Sequence, residues 1–135
     1  MEIAIPTTLA EFNAAGADYL PGHLGLTFLK VEPDEVIAEV DIRKAIRSWN
    51  GYLHAGTIAS LADTCCGYGT VRSLPQGASG FTTIEFKSNF FGSALEGTVV
   101  GIARHCTRAA PPRSGTPPSP YAAPPNPWLS SAAPK

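Results

Sequence analysis

The residues of this chain that could do chemistry stand close together. Asn50-Gly51-Tyr52-Leu53-His54-Ala55-Gly56 is followed, seven residues after Gly56, by Asp63. Apolar or small residues at Ile58, Leu61, Ala62, Cys65 and Gly69 recur at spacings of three and four, which predicts a helix from Gly56 to about Arg72. The first N–H groups of such a helix have no intrahelical acceptor and lie at the positive end of its macrodipole. They could therefore receive a carbonyl oxygen as negative charge develops on it. Ala55 and Gly56 carry little or no side chain, so a ligand can come close to the backbone there. Asp63 offers a carboxylate, a group that can serve as base or nucleophile. It lies eight residues beyond Ala55, roughly 12 Å along a helix axis. One carbonyl does not reach both groups on one helix. Two helices running antiparallel across a two-fold axis would bring Asp63 of one chain to the helix start of the other, so the spacing predicts a dimeric site.

Other elements must position that helix. Thr7 or Thr8 can cap a short helix running to about Asp18, with Glu11 in its first turn and Leu9, Phe12 and Ala15 or Gly16 facing inward. Leu20-Pro21-Gly22 is expected to end it. Residues 25–32 and 36–42 alternate as strands around the turn Pro33-Asp34, a hairpin. Residues 43–53 connect the hairpin to the long helix. That helix is rich in Ala, Ser, Cys and Gly, so something packs close to it, as a sheet wrapped around it would. Residues 81–91 have strand composition and 98–103 read as another strand. Glu39, Asp41 and Glu85 fall on solvated faces.

Composition sets limits. A length of 135 residues suits one domain, and 44% hydrophobic residues suffice for a core. The net charge of −1 and the lack of a basic run give no footprint for nucleic acid. No apolar stretch approaches the ~20 residues that span a bilayer. The N-terminus has no basic segment leading a long apolar one, so no signal peptide is read and the cytoplasm is expected. Cys65 and Cys66 are adjacent on a helix, which suits neither a common disulfide nor a metal site. They are expected to be reduced, buried thiols.

The pattern Asn50-x3-His54-Ala55-Gly56-x6-Asp63, with Thr83-Ile84-Glu85-Phe86-Lys87-Ser88-Asn89-Phe90 downstream, resembles the hot-dog-fold acyl-CoA thioesterases of the PaaI-like group. That family usually has Gly after the His, where this chain has Ala55; the backbone N–H is retained. The resemblance spans roughly residues 25–104. It implies an α+β hot-dog fold, an antiparallel sheet wrapped around one long central helix. It implies hydrolysis of a small aryl- or acyl-CoA thioester, in a homodimer or dimer of dimers with the site at the subunit interface. No metal is implied, and no cofactor beyond the coenzyme A of the substrate. By the same resemblance Asp63 is nucleophile or general base, and the N–H of Ala55, with Gly56, polarises the carbonyl. Asn50 holds the thioester or the water, His54 orients the loop, and Thr83 hydrogen-bonds the water or Asp63. Gly56 and Thr64 contact substrate. An Asp63 buried among Ala, Cys and Gly would have a raised pKa. The other expectation is a non-catalytic acyl-CoA binder or an inactive product.

Residues 106–135 differ from residues 1–105, the expected hot-dog domain. They hold nine of the thirteen prolines and no Asp, Glu, Val or Ile. A hot-dog sheet needs about two more strands here, and a Pro/Ala/Ser-rich stretch is expected to be disordered instead. Read one nucleotide out of frame from the last base of the His105 codon, with synonymous codons chosen freely, the chain can encode Leu-His-Ala-Gly-Arg-Thr-Thr-Gln-Val-Trp-Asp-Ala-Thr-Val-Thr. Residues 126–135 can likewise give Gln-Pro-Met-Ala-Leu-Phe-Arg-Cys-Thr-Gln. Both are similar to the closing strands of the family. The expectation is a one-nucleotide slip near residues 104–106; its rival is a genuine solvated tail.

Overall fold

The computed structural model describes residues 4–78 and 80–105, and the backbone of 128–134. Residues 106–127, including Cys106, lie outside the described residues. Among the described residues, three helices and four strands follow in the order α1 (Leu9–Gly16), α2 (Leu20–Leu24), β1 (Thr27–Val31), β2 (Glu35–Asp41), α3 (Ala55–Arg72), β3 (Thr98–His105) and β4 (Trp128–Pro134). A single 3-10 turn, Lys44–Ile46, lies between β2 and α3. The strands form one antiparallel sheet in the order β1-β2-β3-β4. α3 packs across β1, β2, β3 and β4. The α+β class and the sheet around a long helix are as expected. No helix among the described residues is long and apolar enough to cross a membrane.

Local chemistry explains the elements. Thr8 caps α1 by accepting from Glu11 N, while the Glu11 carboxylate accepts from Thr8 N, which closes a capping box. Phe12 and Gly16 face inward as expected, but Leu9 is exposed because it precedes the turn that meets the sheet. Asn13 pins α1 to β1: its amide donates to Phe28 O at 3.1 Å and its oxygen accepts from Phe28 N at 2.9 Å. The register of β1 on β2 shifts between Phe28 and Lys30, beside those bonds. Pro21 and Gly22 do not simply end a helix. Pro21 stands at the start of α2, where its missing N–H costs nothing, and Gly25 closes α2 at φ 79°.

The core lies between the sheet and α3. Val36, Ala38 and Val40 alternate inward on β2, opposite Ala103, Gly101 and Val99 of β3. Leu61, fully buried, fills the space above Gly101, where a Cβ would stand 2.8 Å from Leu61 Cγ. Tyr68 stacks on Phe28 with ring centroids 4.4 Å apart and tilts against Phe12 at 5.1 Å. The small α3 residues Ala62, Cys65, Cys66, Gly67 and Gly69 are buried as well.

Two expectations are corrected. Residues 81–91 form no strand; among the described residues they have no ladder partner, and their side chains are exposed. Strand propensity is local, whereas a strand exists only when a neighbour supplies hydrogen bonds. Conversely, the tail is not wholly without structure: Trp128–Pro134 pairs with β3, from His105↔Trp128 to Val99↔Pro134. The tail's average composition conceals a proline-free run over residues 128–133, which keeps its N–H donors.

Candidate active site

The site is built on the start and middle of α3. His54 is the N-cap, with extended backbone, and its Nδ1 accepts from Gly56 N at 2.8 Å. The main chain around it is held by the preceding connection. His54 N donates to Ile46 O at 3.1 Å, and the buried Thr57 hydroxyl donates to the same oxygen at 3.1 Å. Arg47 pairs with Leu53 as an isolated bridge, and Leu53 N donates to Ala94 O. Thr57 was not singled out in the sequence; a Thr in the first turn of a helix was the available signal.

This arrangement selects among the helix-start donors. Gly56 N is occupied by the His54 ring, and Thr57 N and Ile58 N reach His54 O. Ala55 N has no acceptor among the described residues, so the exposed donor is Ala55 alone. The expectation of Gly56 as a second donor is corrected: its N–H is already used. Its lack of a side chain still matters, because a Cβ there would stand 2.8 Å from His54 Nδ1.

Asn50 sits in the turn 48–51, closed by Gly51 N to Ser48 O at 2.9 Å with Gly51 at φ 91°. Its side-chain oxygen accepts from Tyr52 N at 3.3 Å, so it shapes the loop leading to His54. Thr64 is half-buried and donates to Ser60 O at 2.7 Å within its own helix.

Asp63 lies on α3 with its side chain exposed. The expected burial among small residues is therefore not found in the single chain: Leu61, Ala62, Cys65 and Cys66 face the sheet, and Asp63 faces the other way. Thr83 Oγ1 donates to Asp63 Oδ1 at 3.3 Å, which brings together two residues the sequence proposed as partners. Phe81, two residues earlier, lies against Gly67, where a Cβ would meet its ring at 3.0 Å. The structure thus gathers His54, Ala55 and Gly56 at one end of the site and Asp63 with Thr83 at the other. It does not join the two groups within one chain.

Cys65 is buried on the sheet side of α3, and desolvation, with the neighbouring Cys66, pushes its thiol up to about 12. A thiol so held is a packing group and not a nucleophile.

The sequence model of the thioesterase superfamily matches residues 50–108, the segment that carries this site. Among solved structures, the chain is similar to a thioesterase variant from Pseudomonas aeruginosa, at 17% identity and a TM-score of 0.71 over 81% of this chain and 78% of that one. A thioesterase from Haemophilus influenzae gives 20% identity and 0.71 over 81% and 76%. A thioesterase family protein from Silicibacter pomeroyi gives 26% and 0.61 over 72% of each chain. With its long helix packed across an antiparallel sheet, the chain has the hot-dog fold of these thioesterases, and its residues 50–108, which carry the helix start and Asp63, match the thioesterase superfamily.

Proposed function

We propose that the chain is an acyl-CoA thioesterase that hydrolyses a small acyl- or aryl-CoA thioester, with Asp63 as its reactive carboxylate. The match of residues 50–108 to the thioesterase superfamily and the fold shared with solved thioesterases support a thioester hydrolase. The observation that carries the finer reading is the Thr83–Asp63 contact beside a helix whose first N–H is unused. The thioester oxygen would sit on Ala55 N–H at the positive end of α3, where charge on the tetrahedral intermediate is stabilised. Asp63, as general base, would take a proton from water as the new C–O bond forms; as nucleophile it would attack the carbonyl to give an acyl-aspartyl anhydride, which a water then hydrolyses to the free acid and the Asp63 carboxylate. On either route the C–S bond breaks as the tetrahedral intermediate collapses, and the thiolate leaves and takes up a proton.

The site is completed by a second copy. Ala55 and Asp63 lie roughly 12 Å apart along α3, so Asp63 of one chain is proposed to face Ala55 of another across a two-fold axis. The exposed apolar residues Phe81, Ile84, Phe86, Phe90 and Phe91, on the segment whose Thr83 reaches Asp63, support such an interface. The test is thiol release over a panel of acyl- and aryl-CoAs. Turnover that is lost in Asp63→Ala and kept in Cys65→Ala is expected; a folded dimer without turnover would overturn the reading.

A second reading is favoured by residues 81–91 having no ladder partner among the described residues. The chain would be a hot-dog protein whose frame slips near residue 105, binding acyl ligands without turning them over. Sequencing the encoding DNA decides it: a second frame without the two strand-like segments sinks the slip.

A further inference from the structure

We infer that Phe81, seated on Gly67, is the positioning residue that sets Thr83 against Asp63; this rests on the thioesterase reading above. Thr83 is the second residue after Phe81, and Gly67 is the fourth after Asp63. Four residues of helix rise roughly 6 Å, and two residues of extended chain span roughly 6–7 Å. The two contacts, Phe81 on Gly67 and Thr83 on Asp63, therefore match in spacing and lay the segment antiparallel along α3. The far end keeps that direction: Leu53 N, just ahead of α3, donates to Ala94 O at 2.8 Å. No strand ladder fixes Thr83, since residues 81–91 have none among the described residues. The register must come from side chains, and the Phe81 ring supplies it.

Gly67 makes the seat. It is buried, yet beyond its own helix a Cβ there would meet, among the described residues, the Phe81 ring alone, 3.0 Å from Cζ and 3.8 Å from Cε2. Gly101 differs, because its empty position takes Leu61 of α3 against the sheet. The empty position at 67 thus serves the segment 81–91 and not the sheet. An added methyl must push the ring back about 0.5 Å or more before the carbon contacts become ordinary. The Thr83 bond has no such margin. At 3.3 Å it already lies beyond the usual ~2.7–2.8 Å of a hydroxyl donor, so a shift of that size breaks it. Phe81 itself remains 45% exposed, so its substitution removes little core.

The test is steady-state kinetics on Gly67→Ala, Phe81→Ala and Thr83→Val, alone and paired, with the best thioester of the panel. Gly67→Ala puts the best helix former into α3, so its melting temperature should hold or rise. Its kcat should nevertheless fall about tenfold or more, as should that of Phe81→Ala. KM should be little changed in both. Thr83→Val combined with either should be no slower than Thr83→Val alone, because the seat acts through that hydroxyl. Unchanged kcat in either seat variant, or losses that multiply with that of Thr83→Val, overturns the positioning. Threonine-methyl NMR reads the same contact without turnover. The Thr83 signal, assigned by its loss in Thr83→Val, should move in Gly67→Ala toward the place it takes in Asp63→Ala. If thioesters are cut while that signal ignores Gly67→Ala, the positioning fails and the hydrolase stands. If the signal moves as expected and no thioester is cut, the positioning contact stands and the hydrolase fails.

Discussion

Thr83 Oγ1 donates to Asp63 Oδ1 at 3.3 Å across twenty residues of sequence, and this bond ties the segment after α3 to the helix that carries the carboxylate. An exposed carboxylate is otherwise free to rotate. One hydroxyl on one oxygen leaves the second oxygen to act on a water or a carbonyl. Asp63→Asn is expected to lower kcat by roughly 100- to 10,000-fold. Thr83→Val should lower it by about 10- to 100-fold with KM little changed, since a single hydrogen bond to a charged group contributes about 1.5–3 kcal/mol. Steady-state kinetics on the best thioester of a panel checks both.

The start of α3 gives a second prediction. His54 Nδ1 and Gly56 N form one closed unit, with no room for a Cβ at position 56. Gly56→Ala should displace the ring and destabilise the chain by about 1–3 kcal/mol. His54→Ala should cost about 0.5–2 kcal/mol by removing the cap. The double variant should cost less than the sum, because the clash needs both side chains. Urea unfolding of the four proteins measures the coupling; additivity would show that ring and glycine act independently.

Gly101 and Leu61 give a third. Gly101→Ala forces a methyl against Leu61 in a full core and should destabilise by about 1–3 kcal/mol. In a Leu61→Ala background, itself weaker by about 2–5 kcal/mol, the same change should be near neutral or favourable. Thermal unfolding reads the reversal of sign.

Acid sensitivity follows from Glu35. Lys30 first, and then Arg104, hold its carboxyl below the ordinary 4.5. A carboxylate favoured in the folded state contributes stability that is present above its unfolded value and is lost as pH falls through the lowered folded value. The melting temperature should therefore drop below about pH 4.5, and Glu35→Gln should flatten that drop while lowering stability at neutral pH. Its partner Lys30 is raised above 10.5 by the same hydrogen bond, so the pair also weakens as pH climbs through that raised value. Melting scans between pH 3 and pH 7 in both proteins check the acid limb.

Cys65 should be inert. With its thiol pushed up to about 12, it stays protonated at neutral pH and should resist iodoacetamide until the chain unfolds. Mass spectrometry before and after denaturant reads this directly.

Much of the scaffold was legible in the residues. Thr8 and Glu11 are three apart and formed the capping box; alternation around Pro33-Asp34 formed the β1–β2 hairpin; small residues at three-four spacing formed α3. Less legible were the features set by distant neighbours. Asn13 bonds to Phe28 across fifteen residues, and no local pattern marks it. Which helix-start donor stays free depends on the His54 rotamer, so Ala55 and Gly56 looked alike until the ring was placed. Residues 81–91 read as a strand by composition and stand without a ladder partner among the described residues.

The sequence by itself determined the helix that carries Asp63 and the hairpin beside it, because caps, periodicity and residue type act over a few residues, while Asn50, His54 and Thr83 were candidates through the family resemblance. Only the tertiary structure decided that Thr83 reaches Asp63, that Asp63 faces away from the sheet, that His54 takes the Gly56 N–H, and that Trp128–Pro134 closes on β3. Those outcomes depend on where separate elements meet, and the spacing of residues along one chain does not encode that meeting.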